Sequence, residues 1–178
     1  MHADAHHTDL LVSYAWGCFG RAKQEVLRIL QGCGAVEPRV RKSDVMGIAI
    51  VRSGLDNRAV IRHCHALWRE RPDAFAFAIK WVPVDHWCTT DLEAIKAVID
   101  QVLAPQIGPH QTWGMKVYKR RWQQYHTRGI VDVLAAGIDR KVDLDHPDWL
   151  LWVDILGRET ALALLRPDEV FSLGRPQP

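Results

Sequence analysis

Apolar positions along this chain switch repeatedly between a period of two and a period near four, and each switch marks an element. Asp9–Tyr14 (DLLVSY) is a short apolar run fit for a buried strand. Phe19–Gly32 then takes helical spacing, with Ala22, Val26, Ile29 and Leu30 on one face and Gly32 and Gly34 ending it. Ala35–Lys42 predicts an edge strand, because Pro38 has no N–H for a sheet interior. Ser43-Asp44 marks a turn, and Met46–Val51 predicts another strand. Leu55–Glu70 is the clearest helix. Asp56 or Asn57 caps it, Val60, Ile61, Cys64, Leu67 and Trp68 line one face, and Pro72 bars its continuation. Ala74–Val82 (AFAFAIKWV) returns to a strand.

A second block follows. WVPVDHWCTTDLEAI predicts a loop entering a helix, with Thr90 and Glu93 as a capping box. Leu92, Ile95, Val98, Ile99, Val102 and Leu103 make the buried stripe, and Pro105 with Gly108-Pro109 ends the helix. Trp113–Tyr118 alternates, which places Lys116 and Tyr118 on one face of a half-buried strand. After a basic turn, a helix is expected from about Arg128 to Asp139, with Thr127 as its cap. Trp149–Leu156 and Thr160–Leu165 read as strands joined by the hairpin signal Gly157-Arg158. The order of the first block, βαββαβ, is the ferredoxin-like pattern. The fold class is therefore α/β (α+β), in two units: residues 1–75, and residues 76–178 as a second α/β unit.

Composition changes this picture little. With 178 residues, 48% apolar and 25% charged, the chain suits one or two soluble globular units. Cys18, Cys33, Cys64 and Cys88 form no CxxC pair and read as reduced thiols, so a cytoplasmic protein is expected. No apolar run has transmembrane length, and no signal-peptide layout opens the chain. The start, MHADAHHTDL, reads as a polar tail whose His2, His6 and His7 could bind metal adventitiously.

Charge adds more. The formal net charge is only +2, but it is segregated. Residues 101–131 hold five Lys or Arg and no acid, whereas seven acids face three arginines from Asp143 onward. Lys116, Lys119, Arg120, Arg121 and Arg128 interleave with Trp113, Tyr118, Trp122 and Tyr125. Cations neutralise phosphates and flat rings stack on unpaired bases, so this pattern suits RNA. The segment also runs into a helix N-terminus, which favours an anion. A basic turn over packed aromatics has the same composition in proteins that never meet RNA.

Other chemistry is thin. Asp143, Asp145 and His146 in KVDLDHP could bind a metal, but they fit turn and strand-entry positions better. His63 and His65 point in different directions on a helix, and His86 and Cys88 need outside ligands. There is no GxSxG, Walker A loop, GxGxxG, HExxH or deaminase signature. A binder without a cofactor is expected rather than an enzyme.

Residues 75 to about 172 resemble a THUMP domain, the RNA-binding module of tRNA-modifying enzymes and their adaptors. The resemblance rests on FAIKWVPVDHWC, on MKVYKRRWQQYHTRGIVDVLAAGI and on KVDLDHPDWLLWVDILGRETALALL. It is nearest to the stand-alone adaptor of the RNA cytidine acetyltransferase, whose THUMP domain follows a ferredoxin-like part. The resemblance implies a non-catalytic protein that grips the tRNA acceptor end and assists N4-acetylcytidine formation by a separate acetyltransferase. It implies a basic RNA-binding surface at Lys116, Lys119, Arg120, Arg121 and Arg128, with Lys141 near it, and beside these cations Trp122 or Tyr125 is expected to stack on a base. Many relatives carry a fused catalytic domain, and the end of this chain at Pro178 leads to the expectation of an adaptor. An RNA-binding subunit of another modifying enzyme (a methyltransferase or sulfur-transfer enzyme) is the alternative. A ferredoxin-like metal or small-ligand protein using His63, His65, His86 and Cys88 is a third.

Overall fold

A computed structural model describes residues 9–174; His2, His6 and His7 lie outside them. Strand β1 (Asp9–Tyr14) is followed by α1 (Phe19–Gly32), β2 (Arg39–Lys42), β3 (Ile48–Arg52), α2 (Asn57–Glu70) and β4 (Ala78–Val84). These strands form an antiparallel sheet in the order β2-β3-β1-β4, the ferredoxin-like arrangement, and a fifth strand adds to β4 at the edge. That strand, β9 (Phe171–Ser172), comes from the far end of the chain.

The helical stripes read from periodicity are the buried ones. Ala22, Val26, Ile29 and Leu30 of α1 and Val60, Ile61 and Cys64 of α2 pack on Leu10, Val12, Val51, Ala78 and Trp81. Phe171 closes this core, its ring 4.7 Å from that of Phe75. Asp56 caps α2 by accepting from the N–H groups of Arg58 and Ala59. Glu25 is buried, and its carboxylate accepts the N–H groups of Ala76, Phe77 and Ala78. The carboxylate thereby anchors the entry to β4 against α1.

The second unit holds β5 (His86–Thr89), α3 (Leu92–Val98), β6 (Trp113–Arg120), α4 (Thr127–Ala135), β7 (Trp149–Leu156) and β8 (Glu159–Leu165). Its sheet runs β5-β8-β7-β6, antiparallel except for the parallel pair β6 and β7. Ile95, Ile99 and Leu103 join Ile130 and Leu134 against Trp113, Leu151, Val153, Ile155, Leu162 and Leu164. Gly157, at φ 75°, opens the two-residue β7–β8 turn that the sequence signalled.

Several expectations change. VPVDHWC is not a loop: β4 runs through Val84 and β5 starts at His86. The division expected after residue 75 falls at Val84/Asp85, because β4 completes the first sheet, and the chain from Asp168 onward returns to the first unit. Phe75–Phe77 precede β4 rather than belong to it. β2 is shorter than Ala35–Lys42, starting only at Arg39. Asp91, not Thr90, caps α3, accepting from Glu93 and Ala94 N–H groups, while Thr90 Oγ1 meets Thr160 Oγ1 at 2.9 Å. Beyond α3 the chain winds as a π turn over Ile99–Leu103, and Val102 is exposed rather than buried. Among the described residues no helix is long and apolar enough to cross a membrane.

Candidate nucleic-acid interface

Strand β6 carries the expected alternation, and pairing with β7 decides what its polar face meets. Trp113, Met115 and Val117 belong to the helix-covered core. Lys116, Tyr118 and Arg120 take the opposite face, beside Trp152 and Asp154 of β7. Tyr118 stacks on Trp152, with centroids 4.9 Å apart and planes 29° apart. Lys116 Nζ lies 5.7 Å from the Trp152 ring centroid, and Arg120 Cζ lies 5.4 Å from that of Tyr118.

Arg120 Nη1 donates to Asp154 Oδ1 at 2.6 Å, and the Asp154 carboxylate is buried. The stretch is acid-free along the chain but not in space. Arg120 is therefore anchored by a buried carboxylate, a structural partner that the sequence reading did not assign to it. A carboxylate inside the apolar strand WLLWVDIL requires a partner. That requirement was the one signal by which the sequence could have announced the pair.

The turn from Arg121 to His126 is held from both sides. The Arg120 carbonyl accepts the Gly157 N–H at 3.1 Å, and Lys119 Nζ donates to the Tyr125 carbonyl. Lys119 thus closes the turn. Trp122 is half-buried against the core, with its ring 5.4 Å from that of Tyr125. Arg121 adopts φ 56°, the left-handed region that costs a residue with a Cβ roughly 1 kcal/mol. It is the one non-glycine residue with positive φ among those described. Its side chain is exposed, as are those of Tyr125 and Arg128.

Helix α4 begins at Thr127, so the N-cap position falls on His126 rather than Thr127. No side chain caps it and its first turn carries no acid. The helix ends at Ala135, short of Asp139, and the chain turns at Gly137 with φ 86°. Arg128 lies in the first turn, where the helix dipole and a cation both favour an anion.

Lys141 is exposed but stands apart. Its carbonyl accepts the Trp113 N–H at the start of β6, whereas Arg121 follows the end of that strand. Eight residues of extended chain separate the two positions by about 25 Å. The structure thus brings together Lys119, Arg121, Trp122, Tyr125 and Arg128, places Lys116 and Arg120 on the neighbouring sheet face, and leaves Lys141 at the other end of β6.

The acidic turn of KVDLDHP has a structural role. Asp143 Oδ1 accepts the N–H groups of Asp145 and His146, which holds its carboxyl below the usual carboxylate range. Asp148 is lowered in the same direction by the N–H and hydroxyl of Thr112. Cys33 and Cys88 are each pushed up to about 11 by burial, and Cys64 is raised further, so these thiols stay protonated and unreactive. His65 is occupied within the first unit, its Nε2 3.0 Å from the Asp168 carbonyl. Among the described residues, no three His, Cys, Asp or Glu side chains gather as a metal would require.

No family model and no curated protein matches the sequence. Solved structures do match in shape. PH1313 from Pyrococcus horikoshii Ot3 superposes with a TM-score of 0.60 at 10% identity, covering 89% of this chain and 54% of its own. TrmN from Thermus thermophilus gives 0.57 at 15% identity, covering 90% and 46%. SMU.472, a putative methyltransferase complexed with SAH, gives 0.56 at 9% identity, covering 88% and 41%. The chain spans about half the length of these proteins. At such identities the likeness is one of fold: a mixed α/β chain in which a ferredoxin-like unit is followed by a second α/β unit.

Proposed function

We propose that this protein is a tRNA-binding adaptor without catalysis of its own, which presents the tRNA acceptor end to a separate modifying enzyme. The observation that carries the reading is the exposed turn ahead of α4. It combines Arg121, Tyr125 and Arg128 with an uncapped helix start that carries no acid in its first turn. The turn is held in one geometry by Arg120–Asp154, by Lys119 and by the buried edge of Trp122. A pre-shaped surface loses little freedom when RNA binds. Arg121 and Arg128 contact phosphates, and Tyr125 stacks on an unpaired base.

The reaction assisted is N4-acetylcytidine formation by an acetyltransferase, which follows from the THUMP resemblance. A second reading, the RNA-binding part of a methylating enzyme, draws on the fold shared with a putative methyltransferase of more than twice this length. The test has two arms. Binding of unmodified tRNA is measured across salt concentrations for the intact chain and for Arg121→Ala/Arg128→Ala; the variant is expected to bind more weakly, with a salt slope lower by about 1.5. Unchanged affinity and slope would remove the site. Nucleoside mass spectrometry of tRNA from cells lacking the protein is expected to show loss of N4-acetylcytidine; loss of a methylated nucleoside instead selects the second reading.

A further inference from the structure

Of the eight tryptophans, seven are buried or half-buried, and Trp16 is 82% exposed. It sits at the tip of the turn joining β1 to α1. Cys18 N–H donates to the Ala15 carbonyl at 3.0 Å, and Gly17 takes φ 72°, the signature of a type II turn. Trp16 is the second residue of this turn, and its side chain is open to solvent. A Cβ built on Gly17 or Gly20 would meet nothing within 4 Å, so the space along this turn is open.

Two cations lie on elements that adjoin this end of the sheet, each held against a ring. Lys42 Nζ lies 5.0 Å from the Phe19 ring centroid, and Arg21 Cζ lies 5.5 Å from that of Phe77. The Phe77 carbonyl accepts the Ala15 N–H, which ties that ring's segment to the turn. Residues 10–24 contain no acid, and Glu25 is buried and bound to backbone. Asp44 in the β2–β3 turn and Asp73 before β4 bring negative charge to the same end of the sheet, so the patch is local.

Resting on the RNA-binding reading above, we propose that Trp16 is a base-stacking platform for single-stranded RNA, with Arg21 and Lys42 on the flanking phosphates. This is a second RNA contact, built within the ferredoxin-like unit. An open ring face beside two cations is what an unpaired nucleotide requires. A protein hot spot would need a surrounding rim that excludes water. Trp16 is followed by Gly17 instead, and the exposed Met46 belongs to the β2–β3 turn, whose Gly47 carbonyl accepts the Tyr14 N–H.

The test uses the full chain, with a labelled single-stranded RNA of about ten nucleotides and unmodified tRNA as probes. Trp16→Ala is expected to weaken binding of both by about tenfold at an unchanged salt slope, and Trp16→Phe to restore most of it. Arg21→Ala/Lys42→Ala is expected to lower the salt slope by about 1.4. Trp16 is exposed, so its loss leaves folding intact, which thermal unfolding checks. If Trp16→Ala binds both RNAs like wild type while Arg121→Ala/Arg128→Ala does not, the inference fails and the α4 site stands. If only Trp16→Ala weakens binding, the inference stands and the α4 site fails. If wild type binds neither RNA, both fail. If Trp16→Ala spares RNA binding but loses a co-purifying protein, the patch is a protein surface and the inference is overturned.

Discussion

At the scale of single residues, two adjacent arginines of equal charge have different surroundings. Arg120 lies over a buried carboxylate, whereas Arg121 is exposed in a left-handed conformation. Arg120→Ala leaves Asp154 buried without its guanidinium partner, and chemical denaturation is expected to show a loss of about 3 kcal/mol. Arg121→Gly relieves the positive φ, so stability is expected to hold or rise by up to about 1 kcal/mol. The same variant is expected to lower the salt slope for tRNA by about 0.8. A stability loss in Arg121→Gly would show that its side chain is structural. The sequence placed both arginines in one basic run and had no means of separating them, because their difference lies in a residue 34 positions away. Glu25 is a comparable case. Nothing in the local spacing marks its carboxylate as the acceptor of three successive N–H groups. Glu25→Ala is expected to cost about 3 kcal/mol in the same assay.

At the scale of elements, local pattern was a good guide to helices and a poorer one to their ends. The buried stripes of α1 and α2 follow from 3.6-residue spacing alone. The caps of α3 and α4 shifted by one residue: Thr90 and Asp91 offer similar cap chemistry, and α4 starts at Thr127 with no side-chain cap to mark that end. One connection has a pH signature. Asp148 ties the segment before β7 to Thr112 before β6, and its pKa is lowered by those bonds. A carboxyl with a lowered folded-state pKa stabilises above its unfolded value, and that contribution is lost as pH falls through the folded value. Unfolding measured between neutral pH and pH 3 is therefore expected to show a smaller acid-induced loss in Asp148→Asn than in wild type. An identical pH dependence would show that the Thr112 contact contributes nothing.

At the scale of the whole molecule, each unit has its own core, and the chain's last described strand belongs to the first one. Phe171 is fully buried among Phe75, Trp68 and His65. Phe171→Ala is expected to cost about 3–5 kcal/mol. Hydrogen exchange read by mass spectrometry should place the loss in residues 9–84 and leave residues 85–167 protected. Equal loss in both would contradict the division into two cores.

The sequence by itself determined most of the elements, the faces of α1 and α2 that are buried, the ferredoxin-like order and the segment rich in cations and rings. Those properties depend on neighbours within a few residues, where periodicity and turn chemistry act. Tertiary structure alone decided that β6 lies parallel to β7, which puts Asp154 under Arg120. It also decided that β9 completes the first sheet and that Lys141 sits a strand's length from the turn. Strand pairing is a non-local choice: the alternation that fixes which face a side chain takes says nothing about which strand will lie beside it.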